Sequence, residues 1–228
     1  MLYQIMFSNN LTPQQAVTTF LVSIFVFFVS LAFHEYAHGF AAYKMGDLTP
    51  KLAGRLTLNP LKHLDMTGML FFMFLGVGWA KPMPVNPLNF KKYKKGTRLV
   101  AIAGVLANFL LGLVAAIIFA IMAKCGATGE FASFIYLVLT YFIIVNSALA
   151  MFNFLPLAPL DGFRFIASFM KPNNKFIKFN ERHGYSILLL LILGSIVIEF
   201  FTGFDLFNAY LNLLTNYVFA PITWLGGL

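Results

Sequence analysis

Long stretches of this chain contain nothing that water would solvate. Residues 17–33 carry no charge, and apolar runs return at 99–123, 131–155 and 185–201, separated by loops that hold most of the charge. A backbone crossing hydrocarbon has no water to bond to, so such runs of about 20 residues must become helices that satisfy their own N–H and C=O groups. The whole composition agrees, at 60% hydrophobic and 11% charged, against about 25% charged in an ordinary soluble domain. The chain therefore reads as an all-α polytopic membrane protein of about five transmembrane helices, with residues 1–228 forming one integral-membrane domain.

The net charge of +8 invites a nucleic-acid reading, but the distribution excludes it. Of the 16 Lys and Arg, all but Lys124 fall in two blocks, residues 44–98 and 164–182. Basic loops alternating with uncharged ones are the positive-inside pattern of a multi-span protein, so the charge implies contact with anionic lipid and no nucleic acid. The pattern predicts a cell-membrane protein with its N-terminus outside and loops 44–98 and 164–182 cytoplasmic. Residues 1–16 lack the basic start and small-residue cleavage site of a signal peptide, so the first apolar segment is expected to be retained. Cys125 stands alone, which excludes an internal disulfide and a cysteine-based metal site.

The spans are expected at 15–44, 99–123, 131–155 and 185–201, and the tail 205–228 reads as a fifth. Within the second, Gly104, Ala107, Gly112 and Ala116 repeat at helical spacing, as close helix packing requires; Asn108 reads as an interhelical hydrogen-bonding residue. Residues 51–60 alternate apolar and polar and fit a short strand. Residues 69–79 are apolar but too short to span, hold Gly76 and Gly78, and lie between basic loops. They read as a re-entrant or membrane-associated hairpin, or as an interfacial segment.

Inside the first span lies His34-Glu35-Tyr36-Ala37-His38. On a helix this H-E-x-x-H places two imidazoles one turn apart on one face, where both reach a single metal ion, with a glutamate beside them to act as general base towards water. Ionisable groups at membrane depth need compensation, and a metal supplies it; nitrogen ligands on a helix favour Zn2+. The competing reading is a buried hydrogen-bonded cluster without metal.

A zinc hydrolase needs a third protein ligand. Asp161 follows a segment broken by Pro156 and Pro159, on the side where the first span also ends, and reads equally as that ligand or as the N-cap of a helix starting at Phe163. Asn153 could bond a bound peptide or a developing oxyanion, or cap the third span. His63 is an accessory ligand or an ordinary loop histidine.

The residues 34–39, Gly54 through Asp65, Gly78 through Pro87 and Asn153 through Gly162 together resemble the site-2 protease family of intramembrane zinc metalloproteases. The resemblance covers roughly residues 30–165 and is to the short bacterial kind, since the chain shows neither the PDZ nor the CBS domains of other branches. A catalytic core of about 15–165 is followed by C-terminal spans at about 183–228. One departure is Ala103-Gly104-Val105, where the family often has Ala-Gly-Pro.

The resemblance implies hydrolysis of peptide bonds within or near membrane spans of other proteins, as in regulated intramembrane proteolysis. It makes His34, His38 and Asp161 the zinc ligands, Glu35 the catalytic base and Asn153 a substrate-binding residue; the basic loops put the active site towards the cytoplasmic side. A β hairpin of the family maps onto residues 70–84, where it would present an extended substrate strand. The implied partners are the lipid bilayer and a single-span membrane protein, such as an anti-sigma factor or a remnant signal peptide. A metal transporter or a catalytically silent scaffold binding membrane segments are the alternatives. A transporter should carry a relay of polar groups along several spans, and here the second has no His or carboxylate and the fourth only Glu199 near its end.

Overall fold

The structure, a computed structural model, describes residues 11–75, 78–171, 173–203 and 206–224. The expected outer N-terminus, residues 1–10, lies outside them, as do Gly76 and residues 225–228. Helix α1 (Pro13–Met45) starts at a capping box: Thr12 Oγ1 accepts from the Gln15 N–H and Gln15 Oε1 from the Thr12 N–H. Pro13 fills the first helical position, where its missing N–H costs nothing. The helix stops at Gly46, whose φ of 108° closes the last turn onto the Ala42 and Tyr43 carbonyls.

After a one-turn helix α2 (Thr49–Leu52) come α3 (Met66–Leu75), α4 (Tyr93–Lys124), α5 (Glu130–Phe154), α6 (Asp161–Ala167), α7 (Lys175–Thr202), α8 (Leu206–Leu211) and α9 (Ala220–Trp224). Four of these, α1, α4, α5 and α7, are long and apolar enough to cross a membrane. The chain is a multi-pass membrane protein built on helices, as its hydropathy indicates.

The bundle is centred on α4, which packs most extensively on α5 and α1. Its buried face carries Gly104, Asn108, Gly112 and Ala116, a four-residue repeat that lets backbones approach closely; Ala107 lies off that face, half-buried. The facing stripe of α1 is Ser23, Ser30, His34, His38 and Ala42, all buried. Helix α7 stands at the periphery, with Leu190 68% and Phe200 83% exposed, as an outer span contacting lipid would.

Two local expectations are revised. Residues 51–60 form no strand: Lys51 and Leu52 complete α2, a turn follows, and Pro60–Lys62 is a 3₁₀ turn capped by the Asn59 side chain. No neighbouring strand edge is present among the described residues to pair with such a strand. The segment after residue 66 folds back on itself, but its first arm is helix α3 rather than a β strand. Its return passes so close that a Cβ on Gly68 would fall 2.2 Å from the Trp79 carbonyl.

The tail, expected as a fifth span, is described over residues 206–224. This part is helical almost throughout, as α8, a π-helical stretch Thr215–Phe219 and α9. Pro221 has no N–H to give to the preceding turn and its ring crowds the carbonyl four residues back, which accounts for the widened turn just before it. Phe219 is fully buried in a cluster with Ala115, Ala116, Leu139 and Ile143, over Gly112, where a Cβ would lie 2.8 Å from its ring. Replacing Phe219 by Ala should leave a void there and destabilise the protein by roughly 3–5 kcal/mol. Thermal unfolding in detergent micelles checks this; an unchanged midpoint would contradict the packing.

Candidate metal centre

His34 and His38 sit on the face of α1 that meets α4, and both are buried. The contact is possible because residue 104 is glycine: a Cβ there would lie 2.5 Å from His34 Cε1 and 2.5 Å from His38 Nε2. Helix α4 also fixes both rings. His38 Nδ1 donates to the Val100 carbonyl at 2.7 Å, and His34 Nδ1 lies 2.6 Å from Asn108 Oδ1. With both Nδ1 atoms engaged, both Nε2 atoms turn to a common point, 3.0 Å apart.

Asp161 reaches the same point from the other direction. The chain leaves α5 at Phe154, passes Pro156 and Pro159, and turns into α6 with Asp161 as its first residue and Leu160 as its N-cap. Asp161 is therefore not a helix cap. Its backbone is set by Gly162, where a Cβ would collide with the Phe154 carbonyl at 2.2 Å. Asp161 Oδ2 lies 3.2 Å from His34 Nε2 and 3.0 Å from His38 Nε2. Arg164 approaches the other oxygen only loosely, at 3.9 Å.

The donor set fits a metal ion. Asp161 Oδ2 is buried and makes no hydrogen bond, and it faces two imidazole nitrogens whose partner nitrogens are already hydrogen-bonded. Two lone pairs and a carboxylate oxygen converging in this way repel one another unless a positive charge lies between them. Ligands about 2.0–2.1 Å from a tetrahedral zinc lie ~3.3 Å apart, close to the 3.0–3.2 Å triangle found here. Among the described residues this is the only group of His, Cys, Asp and Glu arranged to hold a metal.

Glu35 and Asn153 line the same cavity, of about 570 Å³, which runs from the buried His34 to Arg164; the Arg164 side chain is 63% exposed. Glu35 Oε2 accepts the Met83 N–H at 2.6 Å. Asn153 does not cap α5; its Nδ2 donates back to the Leu149 carbonyl, leaving a second N–H for another partner.

The strap carrying Met83 is pinned at both ends. Lys81 is held by its N–H to the His63 carbonyl and by its carbonyl to the Arg55 guanidinium. Asp47 takes the Asn86 N–H and the Asn89 side chain. Burial alone would raise the Asp47 carboxyl, but these bonds and those from Thr49 outweigh it and hold it below the usual carboxylate range, so the clip stays ionised.

His63 stays outside the cluster: it is buried in its loop with Nε2 on the Thr57 carbonyl. Sequence reasoning missed the parts played by Gly104 and Met83. Gly104 was legible only as a packing residue. For Met83 a signal exists, since Pro82 and Pro84 have no N–H and leave its own as the single donor in that stretch. Gly104→Ala should push the two imidazoles apart and weaken zinc uptake at least ~10-fold. Zinc titration beside an Ala107→Val control checks it; equal uptake by both variants would show that the close approach does not matter.

No protein-family model matches the chain, and no solved structure does. Curated relatives do. The chain is 39% identical over 167 residues to "Putative zinc metalloprotease YwhC" of Bacillus subtilis, covering 72% of this chain and 76% of that one. It is 25% identical over 196 residues to "Putative zinc metalloprotease Rip2" of Mycolicibacterium smegmatis, covering 82% and 72%. With Rip2 of Mycobacterium tuberculosis strain H37Rv it shares 27% over 206 residues, covering 86% and 75%. These relatives imply Zn2+ as the cofactor, in agreement with the donor set. The chain belongs to the site-2 protease family of zinc metalloproteases.

Proposed function

We propose that this chain is an intramembrane protease that hydrolyses peptide bonds within or near membrane spans of other membrane proteins. The observation that carries the reading is the depth of the ligand cluster. At ~1.5 Å per residue, His34 and His38 lie roughly 10–17 Å in from the Met45 end of α1, on a helix long enough to span. The cavity beside them reaches Arg164 near the basic end, which provides a route for water. By the positive-inside pattern that end is cytoplasmic.

His34, His38 and Asp161 are the residues that would hold zinc. Zinc bound there supplies Lewis acidity, which lowers the pKa of a water and polarises a carbonyl. Glu35 is the proton carrier. With Oε2 occupied by the Met83 N–H, Oε1 is the oxygen left to take a proton from the attacking water and return it to the leaving amine. Asn153 directs its remaining N–H towards the substrate carbonyl or the oxyanion that develops on it.

A membrane helix hides its carbonyls in i→i−4 bonds, so the substrate must unwind before attack. The cavity between the strap and α5 has room for an extended segment, and the strap offers main-chain groups alongside it. The substrates are single-span membrane proteins of the anti-sigma-factor kind or remnant signal peptides. Glu35→Gln should bind zinc as wild type does and lose turnover by roughly 10²–10⁴-fold. A panel of single-span substrates in proteoliposomes checks this, and preserved turnover in the variant would remove Glu35 from the mechanism.

A further inference from the structure

Asn108 and Asn146 are fully buried and take no part in the chemistry above. We propose that they form a directional relay that fixes which nitrogen of His34 carries its proton, making both positioning residues for metal binding. The inference rests on the metal reading of His34, His38 and Asp161.

Its direction follows from the acceptors at the far end. The Phe142 carbonyl can only accept, so the Asn146 atom 2.9 Å from it is Nδ2, which also donates to Ser30 Oγ at 2.8 Å. Asn146 Oδ1 therefore faces Asn108, whose Nδ2 donates to it at 2.8 Å and more weakly to the Ser30 carbonyl at 3.4 Å. Both donors of that amide are then spent, and Asn108 Oδ1 is the atom 2.6 Å from His34 Nδ1. An acceptor there requires Nδ1 to hold the proton, which leaves the Nε2 lone pair aimed at His38 and Asp161.

Neither amide can flip without placing an oxygen against a carbonyl oxygen. The relay spans α5, α4 and α1, so the packing of three helices decides one tautomer. His38 needs no such device, because Val100 supplies a backbone carbonyl directly. Partners of this kind, on the nitrogen remote from the metal, typically change affinity by about 10–100-fold when removed.

A role limited to holding the spans together predicts something different: zinc affinity would follow stability. Zinc dissociation constants, from competition with a chromogenic chelator, are therefore measured beside the melting temperature of the metal-free protein. The visible spectrum of the Co2+-loaded form is recorded as well. Asn108→Leu should weaken zinc about 10–100-fold and alter the Co2+ spectrum. Asn108→Asp still accepts from His34 but loses its donors, so it should melt lower yet hold zinc within about threefold of wild type. Asn146→Leu should weaken zinc by less than Asn108→Leu, and the double variant should be no weaker than Asn108→Leu alone, as members of one chain require.

A folded Asn108→Leu with wild-type affinity overturns the relay. So does an Asn108→Asp as weak as Asn108→Leu, or an additive double variant. If Asn108→Leu fails to fold, Asn108→Asp and Asn146→Leu decide alone: both must melt lower, and only the second may lose zinc beyond threefold. Wild-type protein that takes up no zinc overturns the metal reading and this inference together, whereas zinc-loaded wild type with any of the contrary variant results overturns the relay only.

Discussion

Two imidazole nitrogens and a carboxylate oxygen held 3.0–3.2 Å apart, between helices built to sit in lipid, are the constraint on which the rest of this molecule depends. Such groups are costly at membrane depth unless a cation compensates them. They must also be brought from distant parts of the chain, α1 and the start of α6, and kept from relaxing apart. Much of the fold around them can be understood as meeting those two demands.

Close approach meets the first. Gly104 lets α4 lie against both histidines, and Gly162 lets the start of α6 press against the end of α5. At Gly39 the Met83 side chain nests on α1, 3.0 Å from where a Cβ would be, one turn beyond Glu35. Hydrogen bonds meet the second. Val100 and Asn108 orient the rings, and the strap, tied down through Arg55, His63 and Asp47, delivers a backbone N–H to Glu35. The His34–Asn108 bond is fully buried, so losing one partner there leaves the other unsatisfied at a cost of about 1–3 kcal/mol.

The spans were legible because hydropathy in a membrane protein is dictated by the solvent; the four long helices lie where the apolar runs lie. His34, Glu35 and His38 were legible because their spacing is local, fixed by one turn of helix. Asp161 was legible only through the family resemblance, since by spacing alone an aspartate after a proline break suits a cap as well as a ligand; its placement depends on the close approach that Gly162 allows. Asn108 was read as a helix-to-helix bond, which it makes to Asn146, but its bond to His34 depends on how α4 rotates against α1. The apolar tail is helical over 206–224, but where its turns widen depends on Pro221 and on the fit of Phe219 over Gly112, neither of which hydropathy shows. Residues 51–60 misled because alternation alone cannot supply a strand with a neighbour.

The central claim is that these three side chains share one zinc ion. X-ray absorption at the zinc edge of the purified protein, beside Asp161→Ala, tests it most directly. One zinc per chain with two imidazole ligands, depleted or altered in its oxygen ligands in the variant, is the predicted result. Protein that purifies without zinc and takes none up, or zinc bound with fewer than two imidazoles, would contradict it.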